Sequence, residues 1–122
     1  MSVAIKWNFN ATAGVDTVNA TSSLSVDAID RVEVAVPPGT TTVQVQPGTT
    51  GKVHFLSIAS SVYGTNLVYR ADSNPAATLD SYHVFVGPGA VSLLGATQQS
   101  LMFINNGVLT AQVSIVAGRM AT

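Results

Sequence analysis

Over the first ten residues, apolar and polar side chains alternate. Val3, Ile5, Trp7 and Phe9 fall on one side, and Ala4, Lys6, Asn8 and Asn10 on the other. Successive side chains of a strand point to opposite faces, so this segment predicts a half-buried β-strand. The rhythm returns at 31–36, where Val32, Val34 and Val36 alternate with Arg31, Glu33 and Ala35. It returns again at 42–46, where Val43 and Val45 alternate with Thr42, Gln44 and Gln46. β-Branched residues suit a pleated, half-buried surface. The segments KVHFLSIA (52–59), LVYRA (67–71), YHVFV (82–86) and LMFIN (101–105) are apolar on both faces or nearly so. They predict strands in the middle of a sandwich or against a neighbouring subunit. Segment 108–117 alternates at its end, with Val113 and Ile115 opposing Gln112 and Ser114.

Turn signals near residues 37, 47, 64, 75, 88, 95 and 106 separate these runs. Their spacing predicts one all-β domain over 1–122, a β-sandwich or jelly roll of about eight or nine antiparallel strands. Asn105-Asn106-Gly107 stands between two apolar runs. An Asn-Gly pair tolerates positive φ, so a tight hairpin is expected there. Helix signals are weak. The best candidate, SSLSVDAID (22–30), makes at most a turn or two. Residues 10–23, NATAGVDTVNATSS, are small and polar, and are expected to form an arm or long loop after the first strand. Residues 1–23 are therefore a terminal strand plus arm suited to intersubunit contacts.

PGTT occurs twice, at 38–41 and 47–50, and the second copy runs into Gly51-Lys52. A phosphate loop needs a glycine five residues before that Gly-Lys pair, a Ser or Thr after the Lys, and a helix to follow. Here Gln46 and Val53 occupy the two positions, and a β-rich segment follows. The repeat reads instead as two turns bracketing one short strand. Each Pro sets φ and blocks ladder pairing, and each Gly accepts the positive φ that follows. The expected product is an antiparallel meander from Arg31 to Ala59.

Composition changes the picture at one point. Only 9% of residues are charged and 47% are apolar, whereas an ordinary domain is about 25% charged. There is little charge to coat a surface, which predicts that part of it is covered by another chain. The net charge of −1 and the scattered Lys6, Arg31, Lys52, Arg70 and Arg119 argue against nucleic-acid binding. No cysteine is present, which removes disulfides and thiolate chemistry. The start has no secretion-signal pattern, and no apolar run reaches the ~20 residues needed to span a membrane. Two glycosylation sequons, at Asn10 and Asn19, are read as chance.

The chemistry-bearing residues form no recognisable constellation. His54 and His83 sit in apolar strands without a metal-binding spacing. Asp72, Ser73, Asn74 and Asp80 bracket a loop with oxygen ligands but lack the glycine of a calcium loop. The six acids fit no paired-carboxylate motif, and no G-x-S-x-G is present. The expectation is no enzyme, no cofactor and no metal. Trp7 and Tyr63, near strand ends or turns, are the candidate aromatic platforms for a carbohydrate- or cell-surface-binding module. Trp7 equally suits an anchor buried in a partner, since terminal strands add readily to neighbouring edges.

The stretches DRVEVAVPPGTTTVQVQPG, FLSIASSVYG, LVYRAD and GPGAVSLLG resemble small virion structural proteins of tailed bacteriophages, most of all capsid decoration, or cement, proteins. The resemblance is one of texture over most of the chain: short, cysteine-free and rich in Thr, Val and Ala. It implies a protein that forms a homotrimer and stabilises a shell by binding the major capsid protein or another virion protein. It also implies assembly in a bacterial cytoplasm and residence in the virion. Tail and head–tail adaptor components share the texture. In this reading Val3, Ile5, Trp7 and Phe9 are the candidate partner-binding residues.

Overall fold

The computed structural model describes residues 3–45, 53–71, 76–94 and 100–120. Among them are ten strands. They are β1 (Val3–Ala13), β2 (Asp16–Val26), β3 (Ala28–Val36), β4 (Gly39–Gln44), β5 (Val53–Ser60), β6 (Leu67–Ala71), β7 (Ala77–Thr78), β8 (His83–Val86), β9 (Ser100–Asn105) and β10 (Ala111–Arg119). A single helical turn, α1 (Pro88–Val91), and a 3₁₀ turn at Ser92–Leu94 follow β8.

The strands from β3 onward pair by folding the chain back on itself. β6 meets β7, β5 meets β8, β4 meets β9 and β3 meets β10, all antiparallel. This long ribbon is then rolled up. β10 also pairs with β5, and β9 with β6, giving two four-stranded sheets of order β3-β10-β5-β8 and β4-β9-β6-β7. That is the strand order of a jelly roll. β1 and β2 stand apart as a two-stranded hairpin.

The inward faces of both sheets share one core. Val36, Leu56, Ile58, Val113 and Ile115 come from the first sheet, and Val43, Leu67, Tyr69, Leu101 and Phe103 from the second. Tyr69 and Phe103 are directly opposite on adjacent strands, their rings stacked with centroids 5.6 Å apart. The Tyr69 hydroxyl reaches across the sandwich to His83 Nδ1 on β8, at 2.6 Å. His83 is thus a hydrogen-bonded histidine on the inward side of its strand. The two-residue gap between β3 and β4, Pro37-Pro38, is where the chain leaves one sheet for the other. Gly39 there has φ 118°, a value that favours glycine.

Four expectations fail, because strand pairing, local at one place and long-range at the others, decided what the local signals did not. Residues 10–23 are not a loop. β1 runs on to Ala13, and β2 returns from Asp16. The tight turn is Gly14-Val15, with Gly14 at φ 63°, the positive φ that a two-residue hairpin loop wants at its first position. Residues 22–30 are strand rather than helical turn, because β1 and β10 supply them with ladders. The meander from Arg31 to Ala59 does not form, since β3, β4 and β5 pair with β10, β9 and β8 rather than with each other. The second PGTT copy lies outside the described residues. Asn105-Asn106-Gly107 makes no tight hairpin. β9 and β10 belong to different sheets, and Gly107 is not among the positive-φ glycines.

Asn105 does other work. Its buried amide nitrogen donates to the carbonyls of Val36 and Leu109, at 3.0 and 2.8 Å, and its oxygen accepts from the Gly107 N–H at 2.9 Å. One side chain thereby pins the end of β3 to the crossing loop between β9 and β10. Asn105→Ala is expected to cost on the order of 1–3 kcal/mol for each buried group it orphans, read as a lowered urea midpoint with an unchanged m-value.

Candidate interaction surface

β1 and β2 pair along their whole length, from Val3↔Val26 to Ala13↔Asp16. Directly paired residues share a face of the sheet. One face of the hairpin therefore collects Val3, Ile5, Trp7 and Phe9 with Val18, Ala20, Leu24 and Val26, interrupted by Ser22 opposite Trp7 and by Asp16 at the tip. The other collects Lys6, Asn8, Asn10 and Thr12 with Thr17, Asn19, Thr21 and Ser23. There the Thr21 hydroxyl donates to Asn8 Oδ1 at 3.2 Å. The two sequon asparagines, Asn10 and Asn19, face each other on this polar side. Trp7 sits mid-strand, not near a strand end as expected.

Only Asp27 separates β2 from β3, so the hairpin leaves the sandwich as an extension of an edge strand. The Asp27 N–H donates to the Arg119 carbonyl at 2.9 Å, and Arg119 Nε donates to Asp30 Oδ2 at 2.6 Å. These bonds hold the point of departure. The root is also packed. A Cβ on Gly118 would lie 2.7 Å from Ile5 Cδ1, 3.2 Å from Val26 Cγ1 and 3.3 Å from Phe55 Cβ. Glycine is what lets the hairpin rest on the outer face of the first sheet. Beyond the root Trp7 is half-buried and the rest of the apolar face opens to solvent. Phe9 and Val18 are each 57% exposed, and Val15 at the tip is fully exposed. Eleven residues per strand make an arm roughly 35 Å long. None of its side chains belongs to the sandwich core.

The outer face of the first sheet carries a second apolar surface. Register places Ile29, Gly118, Phe55 and Val86 in one row across β3, β10, β5 and β8. The next row is Arg31, Val116, Ser57 and Val84. Ile29 and Val84 are 44% and 48% exposed. Further from the arm the rows turn polar, with Glu33 beside Ser114.

The remaining candidates stay apart. His54 has its carbonyl bonded to the Gly87 N–H, at the far end of β8 from His83, so the two histidines do not meet. His83 Nε2 stands 3.7 Å from Asp80 Oδ1, but Tyr69, the third member of that chain of groups, is sealed in the core. The line Tyr69–His83–Asp80 is a polar bridge between sheets with no access for a substrate at its phenol. Among the described residues no three His, Asp or Glu side chains converge on a metal position. Asp72, Ser73 and Asn74 of the calcium reading, and Gly51-Lys52, lie outside the described residues. Tyr63 lines a cavity of about 170 Å³ at one end of the sandwich, with Val62, Asn66, Leu67, Val108 and Leu109. Its hydroxyl accepts from the Ser60 N–H at 3.1 Å. No helix among the described residues is long and apolar enough to cross a membrane.

Burial raises the Tyr69 phenol above the ordinary tyrosine range. It stays protonated in the fold, and its hydroxyl shares the hydrogen bond with His83 Nδ1. The unfolded phenol titrates near ~10, so above that pH the folded chain holds the extra proton. Stability is full below about pH 10 and falls as pH rises through the alkaline range. Tyr69→Phe is expected to flatten this alkaline decline relative to wild type, measured by urea midpoints at a series of pH values. At the root, Gly118→Val is expected to displace Ile5 and free the arm, read as faster amide exchange in β1 and β2 with β5 and β9 unchanged. Compared with known proteins, the chain matches no family model, no curated protein and no solved structure.

Proposed function

We propose that this protein is a non-enzymatic structural component that assembles with itself and attaches to the surface of a larger particle, in the manner of a capsid decoration protein. The observation that carries this reading is the arm. It is a long hairpin with one mainly apolar face, rooted on a complete jelly roll and left largely open beyond that root. An isolated two-stranded hairpin is marginal in water. An arm of this kind calls for cover from outside its own sandwich. The low charge of the chain supports the same conclusion, because there is little charge to keep exposed apolar faces apart. The architecture is compatible with the particle, since double-sheet jelly rolls build viral capsid domains as well as lectins. Attachment then comes from buried area and no bond is made or broken; of Val3, Ile5, Trp7 and Phe9, Ile5 is spent on the arm's own root, and Phe9 with Val18 of the paired strand offers the most open contact.

A second reading rests on the Tyr63 cavity. An aromatic ring beside Asn66 at the loop end of a sandwich suits a sugar, and would make this a carbohydrate- or cell-surface-binding module. It predicts a monomer whose binding is lost on Tyr63→Ala and survives loss of the arm.

Removing residues 1–25 tests the first reading. The sandwich core lies wholly outside the deleted segment, so the truncated chain is expected to keep its β-sheet circular dichroism and cooperative unfolding. It is expected to lose co-sedimentation with particles that bind the full chain. Retention of full binding by the truncated protein rejects the arm as the attachment device.

A further inference from the structure

We infer that the arm of one copy docks on the outer apolar rows of a second copy, each copy giving an arm and receiving one. This rests on the assembling reading above and names the arm's partner within it.

Three observations converge on a second copy. The first is chemical fit. The distal arm presents Trp7, Phe9, Val18 and Ala20 on one face, and the outer sheet presents Ile29, Val116, Val84 and Val86. The charges on these two surfaces are Asp16 at the arm's tip and Arg31 at the margin of the rows. They have opposite signs and sit at edges, so contact strands no charge at the centre.

The second is continuity. The arm's own root already lies on this surface, with Ile5 over Gly118 and against Phe55, in the same row as Ile29 and Val86. The outer sheet therefore accepts this face of the hairpin. The first row is partly used by the arm of the same chain; in the second, Ser57 is buried and Val84 at the edge is the most open apolar member.

The third is area. Beyond its root the arm is roughly 25 Å by 10 Å in plan. One such contact falls below the ~800 Å² per partner of a standard stable interface. Reciprocal exchange counts each surface twice per copy, once as arm and once as platform, and brings the total toward that figure. A closed symmetric assembly satisfies this condition and leaves neither surface exposed.

The test uses full-length chains with complementary defects. Phe9→Lys with Val18→Glu spoils the arm, and Val84→Arg spoils the platform. All three positions are about half exposed or more, so the fold is not at stake, and circular dichroism confirms it. Light scattering of wild type at micromolar concentration is expected to give a multiple of 12.6 kDa. Each variant alone is expected to give the monomer mass. An equal mixture regains one working arm on one working platform, a single contact of less than standard area, so it is expected to associate only at concentrations well above those at which wild type does. The chain has no native cysteine, so Phe9→Cys mixed with Val84→Cys should give a disulfide-linked pair under mild oxidation. A monomeric wild type, or Val84→Arg that assembles like wild type, overturns the proposal. A monomeric wild type that still loses particle binding without its arm overturns self-docking while leaving the decorating role intact. An assembly that forms through the arm but binds no particle supports self-docking and rejects the decorating role.

Discussion

Tyr69 and Phe103 stack on neighbouring strands, and the two sheets close over them. Aromatic side chains bring the largest area per residue to a core, and an offset pair adds a directional preference to it. Here the pair also sets the spacing of the sandwich, because the Tyr69 hydroxyl bonds to His83 on the facing sheet. Burial keeps that phenol neutral, so the bond is made without placing a charge in the core. Leucine, isoleucine and valine side chains from both sheets fill the space around the pair. The rolled ribbon is the chain path that delivers them there with every central strand paired on both sides.

This solution leaves the arm outside. The sandwich needs eight strands to close, and β1 and β2 are surplus to it. They do not fray into a loop because they pair with each other and because Gly118 gives Ile5 a place to rest. Their polar face, rich in Thr and Asn, can stay in water. The outer half of their apolar face is the part of the molecule that its own fold leaves open.

Much of the strand content was legible from period alone. Residues 3–10, 31–36, 53–59, 67–71, 83–86 and 101–105 are strands where alternation or short apolar runs predicted them. The face shared by Val3, Ile5, Trp7 and Phe9 was legible for the same reason, since a period of two fixes which side chains lie together on a strand. Its partner strand was not. Thr17, Asn19 and Thr21 look like loop residues, and only the Ala13-Gly14-Val15-Asp16 turn makes them a strand. The glycine that mattered there was Gly14. The stronger Asn-Gly signal at 106–107 turned out to mark a crossing between sheets.

The sequence by itself determined that the fold is all-β in class, where most strands lie, and which residues share the apolar face of the first one. Those properties are local, because side-chain alternation and turn chemistry act over a few residues. Tertiary structure alone decided which strands pair, that the sheets roll into a sandwich, and that Ile29, Phe55, Val86, Val116 and Val84 come together on the outer side of one sheet. Strand pairing joins residues up to about ninety positions apart, as with Ala28 and Arg119. Nothing in the local pattern of either strand names the other. The choice is made by the whole set of inward faces being buried at once.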